Sequence, residues 1–355
     1  MKKLRILLIF SNLVVKIKTT KITAMHNLFA NFVKILEVCK YLAKDLVNDK
    51  GNIPRPGVVP RFSDLEVIAL SLTAESMELD SECYLFAKLE EYRDKMTNLI
   101  SRRQYNDRRK FTAELCEKIR KRMVTKIDGG EDVFIIDSKP VKVCQLARGK
   151  RNMMGKTCIG KAPNFGYCAS QAMYYFGYKL HAVCGVSGVI RSYDLTQASV
   201  HDINYLNDVQ QDYFNCTIIG DRGYINVELQ LNLFETAHIS LEVPYRCNQK
   251  DWKPFYKPFG KARKRIETIY SQFTDQFNIM RNYAKDWLGF FTRIISKVSA
   301  LTVAQYINKI TDPSAESSMR SLNSANGCLF LSPLYNEFVA HVPIFQPKDV
   351  CFTIR

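Results

Sequence analysis

The sequence predicts a mixed α/β fold, a sheet flanked by helices, behind a helical and basic N-terminal region. Two observations carry this. Up to about residue 126 apolar residues recur at helical spacing, and after Gly129-Gly130 the pattern switches to short continuous apolar runs that read as buried strands. Those runs then interleave with helices in the order strand, strand, strand, helix, strand, helix, strand, helix.

The chain has 355 residues, 46% of them hydrophobic, and a net charge of +16. That composition excludes a disordered polyelectrolyte, because there is enough apolar matter to bury a core. It excludes a multi-pass membrane protein, because charges interrupt nearly every apolar run. Length suggests about two domains. The positive surplus favours a polyanionic partner, nucleic acid or an anionic membrane, with a basic housekeeping enzyme as the alternative. Eleven cysteines without a C-x-x-C pair, and only five histidines, supply neither a zinc cluster nor a regular disulfide framework. Reduced, mostly buried thiols in a cytoplasmic protein are expected.

Residues 1–24 read as a leader upstream of a start at Met25. They hold Lys2, Lys3, Arg5, Lys16, Lys18 and Lys21 without an acid, and Ile6 to Val15 is a short apolar run. An export signal is the alternative, but no small-x-small cleavage site follows. Residues 25–128 form the expected helical region. Leu28, Phe32, Ile35, Leu36 and Cys39 lie on one helical stripe, a Pro-Arg-Pro-Gly loop breaks it, and Ser63 with Glu66 spells a capping box. Residues 101–126 then set ten Lys and Arg against three acids, with Phe111, Leu115 and Ile119 four apart. A helix with a basic face is expected, of helix-turn-helix-like character, with Arg102, Arg103, Arg108 and Arg109 as candidate DNA contacts; a merely solvated basic face is the alternative.

In the second domain, residues 129–310, Val133 to Ile136 is the first strand and ends at Asp137. A Lys/Arg-rich loop follows, then a hairpin of Tyr174–Cys184 and Val189–Leu195 about Gly185-Val186-Ser187-Gly188. A helix from about Asp202, a strand at Thr217–Gly220 ending at Asp221, a helix over 227–236, a strand at 239–243 and a helix from about Ala262 carrying Glu267 complete it. Trp252 and Tyr256 sit in the Pro-rich loop before that helix, where packing or base stacking would explain them. Trp287 to Ile307 is apolar, but Arg293 and Lys297 interrupt it, so a helix packed on the core or in a dimer interface is expected rather than a membrane span. The tail, 311–355, keeps no period and reads as an atypical appendage.

Asp137 and Asp221 each end a predicted buried strand. If those strands are parallel neighbours, both carboxylates leave the same sheet edge, where sites of open α/β sheets lie. Glu267 joins them if its helix packs across the sheet. Three acids in one cleft repel unless a cation neutralises them, and carboxylate oxygens suit Mg²⁺ or Mn²⁺. Taken singly each has a plain structural role: a turn or cap for either Asp, an ion pair with Arg263 or Lys264 for Glu267.

Over about Met25 to Ile310 the chain resembles a bacterial insertion-sequence transposase of the DDE type. The resemblance rests on Ile136-Asp137-Ser138-Lys139-Pro140, Gly177-Tyr178-Lys179-Leu180-His181, Ala198-Ser199-Val200-His201-Asp202, Gly220-Asp221-Arg222-Gly223-Tyr224 and Arg263-Lys264-Arg265-Ile266-Glu267, in that order. Thr274 stands where the family commonly has a Lys, and Gly260 where it has a Tyr. The resemblance implies a ribonuclease-H-like core with Asp137, Asp221 and Glu267 as a catalytic, metal-binding triad for two ions, Mg²⁺ or Mn²⁺. It implies two-metal phosphoryl transfer on double-stranded DNA, at the element's terminal inverted repeats and at a target, by a homodimer or larger complex. Lys139, Arg222 and Arg263 beside the triad, and Lys179 and His181 on one strand face, are the further candidate DNA contacts; for His181 a satisfied, partly buried histidine is an equal alternative. Two rivals use the same residues: a stand-alone nuclease that cuts without joining, and a decayed copy that binds DNA without chemistry.

Overall fold

The computed structural model describes residues 27–311 apart from 157, 159, 249–251 and 253. The expected leader, the Met25 start and the tail beyond Thr311 lie outside the described residues.

The helical region begins with α1 (Leu28–Leu42), capped by the Asn27 side chain, which accepts from the Ala30 N–H at 3.1 Å. The Pro-rich loop turns back on buried Asn52: its amide donates to the Pro60 carbonyl, and its Oδ1 accepts from the Asp64 N–H. Ser63 and Glu66 close the expected capping box on α2 (Asp64–Ser76), whose residues are nearly all buried. After α3 (Glu82–Leu89) comes a second box, Ser101 with Gln104, opening α4 (Arg102–Phe111). The single helix expected over 101–126 is in fact two. Thr112 ends α4 with its hydroxyl on the Arg108 carbonyl, and α5 (Ala113–Ile127) starts afresh. Phe111 is thereby turned out to solvent beside the Arg55 guanidinium instead of extending the stripe of Leu115 and Ile119.

The sheet holds β1 (Val133–Cys144), β2 (Asn164–Cys168), β3 (Met173–Gly185), β4 (Ile190–Gln197), β5 (Cys216–Ile219) and β6 (Ile239–Glu242). β3 lies antiparallel to β1 along one edge; along its other edge β2 and β4 pair end to end. On the far side of β1, β5 and then β6 run parallel to it. Three antiparallel strands continued by two parallel ones make the expected ribonuclease-H-like sheet. The Gly185–Gly188 hairpin forms as expected. Two features differ from the sequence reading. β2 emerges from the basic loop as an added strand, and β1 runs through Asp137 to Cys144, because β3 keeps pairing with it after β5 has ended.

α6 (Leu206–Asp212) and α7 (Val227–Ala237) cover the β5–β6 side, with Tyr205, Tyr213 and Tyr224 in the shared core. α8 (Lys257–Asp275) packs on β1. α9 (Trp287–Thr311) is buried almost all round: it lies against α2 and α5, and its first turn sets Trp287 and Phe290 against Tyr178 of β3. This helix ties the helical region to the sheet, as the sequence led one to expect of a helix packed on the core. Among the described residues no helix is long and apolar enough to cross a membrane, and every cysteine is a free thiol.

Candidate active site

β1 and β5 run in register as far as Ile135 opposite Ile219, and there their ladder ends. Each chain stays extended for two more residues, to Asp137 on one and Asp221 on the other. Because strand side chains alternate with a period of two, equal steps from a paired position carry both carboxylates to the same level of the sheet. The sequence around Asp221 suits this exit. A Cβ on Gly220 would stand 3.2 Å from the Tyr224 ring and 3.3 Å from Ile136, so glycine lets the chain pass close to β1. Asp221 then caps a short turn, its Oδ1 accepting from the Gly223 N–H at 2.8 Å, and Tyr224 is buried beneath it.

Asp137 Oδ1 accepts from the Ser138 N–H at 2.8 Å. Burial pushes its carboxyl up to about 7; the Ser138 hydrogen bond opposes that, the Asp221 charge raises it further, and the Arg263 guanidinium pulls it down. The like charges therefore sense each other, and the Oδ2 atoms of Asp137 and Asp221 make no hydrogen bond with a described residue.

α8 is pinned here. The Tyr270 hydroxyl donates to the Asp137 carbonyl oxygen at 2.6 Å, and Lys139 lies over the Tyr270 ring at 5.7 Å. Arg263 is seven residues, two turns, before Tyr270 and so on the same helix face. Glu267 stands between them on that face. Its side chain is exposed, and among the described residues it makes no ion pair with Arg263, Lys264 or any other base. Among the described residues no three His, Cys, Asp or Glu side chains gather closely enough to hold a metal ion. The structure thus brings Asp137, Asp221, Lys139, Arg263 and Tyr270 together and leaves Glu267 exposed on the same face of α8 without closing a three-carboxylate cluster.

The remaining candidates divide. Arg222 is exposed beside Asp221. Arg102 and Arg103 are exposed and line a cleft of about 530 Å³ between the starts of α3, α4 and α9, whose walls also carry Glu82, Asp107, Lys285 and Asp286. Arg108 and Arg109 do not present a basic face: Arg108 turns inward to Asp64 and the Phe62 carbonyl, and Arg109, buried, pairs with Glu82 at 3.4 Å. Lys179 is spent on Asp202 at 2.9 Å and on the Val200 carbonyl. His181 does not reach a surface. It is wholly buried, stacked on Tyr205, with Nε2 against the Thr196 hydroxyl, and burial lowers its pKa. His201 caps the following turn, its Nδ1 accepting from the Ile203 N–H at 3.3 Å. Tyr270 was not singled out by sequence; its seven-residue spacing from Arg263 was the available signal.

Residues 128–303 match the family model described as the transposase DDE domain. No curated protein matches the chain. A solved structure, "Mos1 transposase paired-end complex with left transposon end", is similar at 12% identity over 75% of this chain and 82% of that one, with a TM-score of 0.20. At that score the likeness bears no weight on the fold, which rests on the strand order.

Proposed function

Since this chain carries a transposase DDE domain over residues 128–303, we propose that it cuts DNA at the ends of a mobile element and joins the freed ends to a target by metal-assisted phosphoryl transfer. The observation that carries the proposal is the pair Asp137 and Asp221, delivered in step from two parallel strands to one level of the sheet within the matched domain. Their free Oδ2 oxygens and the raised Asp137 carboxyl suit a hard divalent cation, Mg²⁺ or Mn²⁺, with Glu267 as the third carboxylate once α8 presents it. A cation held there supplies Lewis-acid stabilisation of an attacking and a departing oxygen. The chain's own residues do the rest. Asp137 and Asp221 would hold the ion through their carboxylates. Tyr270 holds β1 at Asp137 against α8. Arg222, Arg263 and Lys139 bind the phosphates that flank the scissile bond.

The test uses duplex DNA ending in the inverted repeats that flank the reading frame. With Mg²⁺ or Mn²⁺ the protein is expected to nick that DNA and to form a strand-transfer product, and a chelator should stop both. Nicks without a joined product would leave a stand-alone nuclease. Binding without nicks in either metal would leave a DNA-binding protein without chemistry.

The exposed pair Arg102 and Arg103 serves as a phosphate contact in this reading, and Arg108 does not. Replacing both Arg102 and Arg103 by Ala should weaken duplex binding on all sequences and reduce the slope of log affinity against log salt by about 2. Arg108→Ala should lower the urea midpoint without changing that slope, because it strips a partner from buried Asp64. Titrations at several salt concentrations separate the two.

A further inference from the structure

The active-site reading leaves one surface unused. β2 and the start of β3 form a hairpin, and cross-strand partners share a face. Phe165 pairs with Phe176 and Tyr167 with Tyr174, ring centroids 4.9 Å apart in each pair. The four rings make one strip. Its inner end is lidded by the 3-10 turn Leu146–Arg151, which can lie flat because Gly149 has no side chain: a Cβ there would stand 2.8 Å from the Phe176 ring and 2.9 Å from Phe165. Its outer end is bare, with Tyr167 52% and Tyr174 67% exposed. The lid carries Arg148, Lys150 and Arg151, with Lys156 following; all four are exposed, and none is ion-paired with a described residue. No acid occurs anywhere between Asp137 and Asp194. The strip lies on the sheet face that Asp137 occupies, since Asp137 pairs with Ala182 and even-numbered β3 residues from 182 down to 174 share that face.

We propose that this hairpin is a stacking platform for unpaired DNA bases, with Tyr167 and Tyr174 taking the base and Arg148, Lys150 and Arg151 the adjoining phosphates. Exposed rings beside a basic turn, in a stretch of chain without acids, are complementary to a chain that is both anionic and π-faced. A second copy of the same surface would instead set cation against cation. The platform lies farther along β1 than Asp137, in the direction of Cys144, so it would hold a strand opened beyond the cut rather than the scissile phosphate itself. This inference rests on the DNA-processing reading, and its test needs no cleavage.

The test uses the full chain carrying Asp137→Asn, without metal, and two DNA probes of equal length. One is fully paired; the other has a short unpaired stretch containing 2-aminopurine. The parent should favour the open probe by about tenfold or more and quench its fluorescence. Tyr167→Ala with Tyr174→Ala should abolish the preference and the quenching while leaving affinity for the paired probe unchanged. The corresponding Phe pair should retain both, because stacking needs the ring and not the hydroxyl. Three results would overturn the platform: a parent with no preference, an Ala pair that behaves as the parent, or an Ala pair that weakens both probes equally. Loss of self-association in the Ala pair, with base binding intact, would show the rings to be an interface between copies instead. Failure of the DNA-processing reading would show separately, as absence of metal-dependent nicking by the unsubstituted chain.

Discussion

Asp137→Asn is expected to lower metal-dependent cleavage by about a thousandfold or more, and at the same time to make the metal-free protein more stable at neutral pH. The first effect follows from losing one of the carboxylates proposed to hold the cation, where Lewis-acid stabilisation is worth several kcal/mol, about 4 kcal/mol per thousandfold. The second follows from the raised carboxyl. Its folded pKa of about 7 stands above an ordinary Asp near 3.8. The protonated form thus favours the fold below the unfolded value, and that contribution is lost as pH rises toward 7. The full shift would correspond to roughly 4 kcal/mol, and the side chain's partial exposure reduces this to about 2 kcal/mol. Urea unfolding in chelator should show the variant gaining on the parent between about pH 4 and pH 7 and holding its lead above that. Cleavage that survives the substitution would remove Asp137 from the chemistry. A lead that is flat with pH would show that the carboxyl is not strained in the fold.

The second large effect lies far from that site. Lys297 of α9, almost fully buried, donates to Glu75 of α2 at 2.6 Å and to the Phe277 carbonyl, and stands 3.6 Å from Asp80. Asp80 also receives Arg293. Lys297→Met keeps the length of the side chain and removes the charge, leaving Glu75 without its cation in a buried place. Breaking such a pair from one side should cost about 3–5 kcal/mol. Adding Glu75→Gln should recover part of the loss, because the orphaned charge goes too. Urea midpoints of the two single variants and the double variant measure the coupling. A single-variant loss below about 1 kcal/mol would mean that the pair is already solvated.

Much of this fold is written in local pattern. The Ser63–Glu66 box, the Gly185–Gly188 hairpin and the strands leading to Asp137 and Asp221 depend on neighbours within a few residues, so the sequence displays them. The misses share a cause. The polar run Ser138-Lys139-Pro140 does not look like strand, yet β1 continues through it because β3 supplies a partner on one side. Past Ile135 the other side is free of β5, and a strand with one open edge tolerates a proline. β2 hid in a basic loop, although Phe165 and Tyr167 already alternated with period two. The arginines of 101–126 looked like a solvated or DNA-facing array because their acids, Asp64 and Glu82, lie far back in the chain. His181 alternates along its strand as a surface residue would, but Tyr205 comes from beyond β4 to cover it. Of the candidate site, the meeting of the two aspartates with Lys139 and Arg263 was legible as an arrangement; the Tyr270 pin, a contact between side chain and carbonyl across 133 residues, was not.

The fork at which β1 and β5 part governs what kind of sequence drift such a domain survives. Side chains along either strand can be exchanged for others of similar bulk, since the ladder reads backbone and volume. Length cannot change there. One residue inserted or deleted between Ile219 and Asp221 would swing the second carboxylate to the opposite side of the sheet and leave the first without its neighbour. Divergent copies of this chain should therefore exchange strand side chains for others of similar bulk but keep glycine at 220 and the letter count from Ile135 to Asp137 and from Ile219 to Asp221, while the turns and loops elsewhere lengthen and shorten freely.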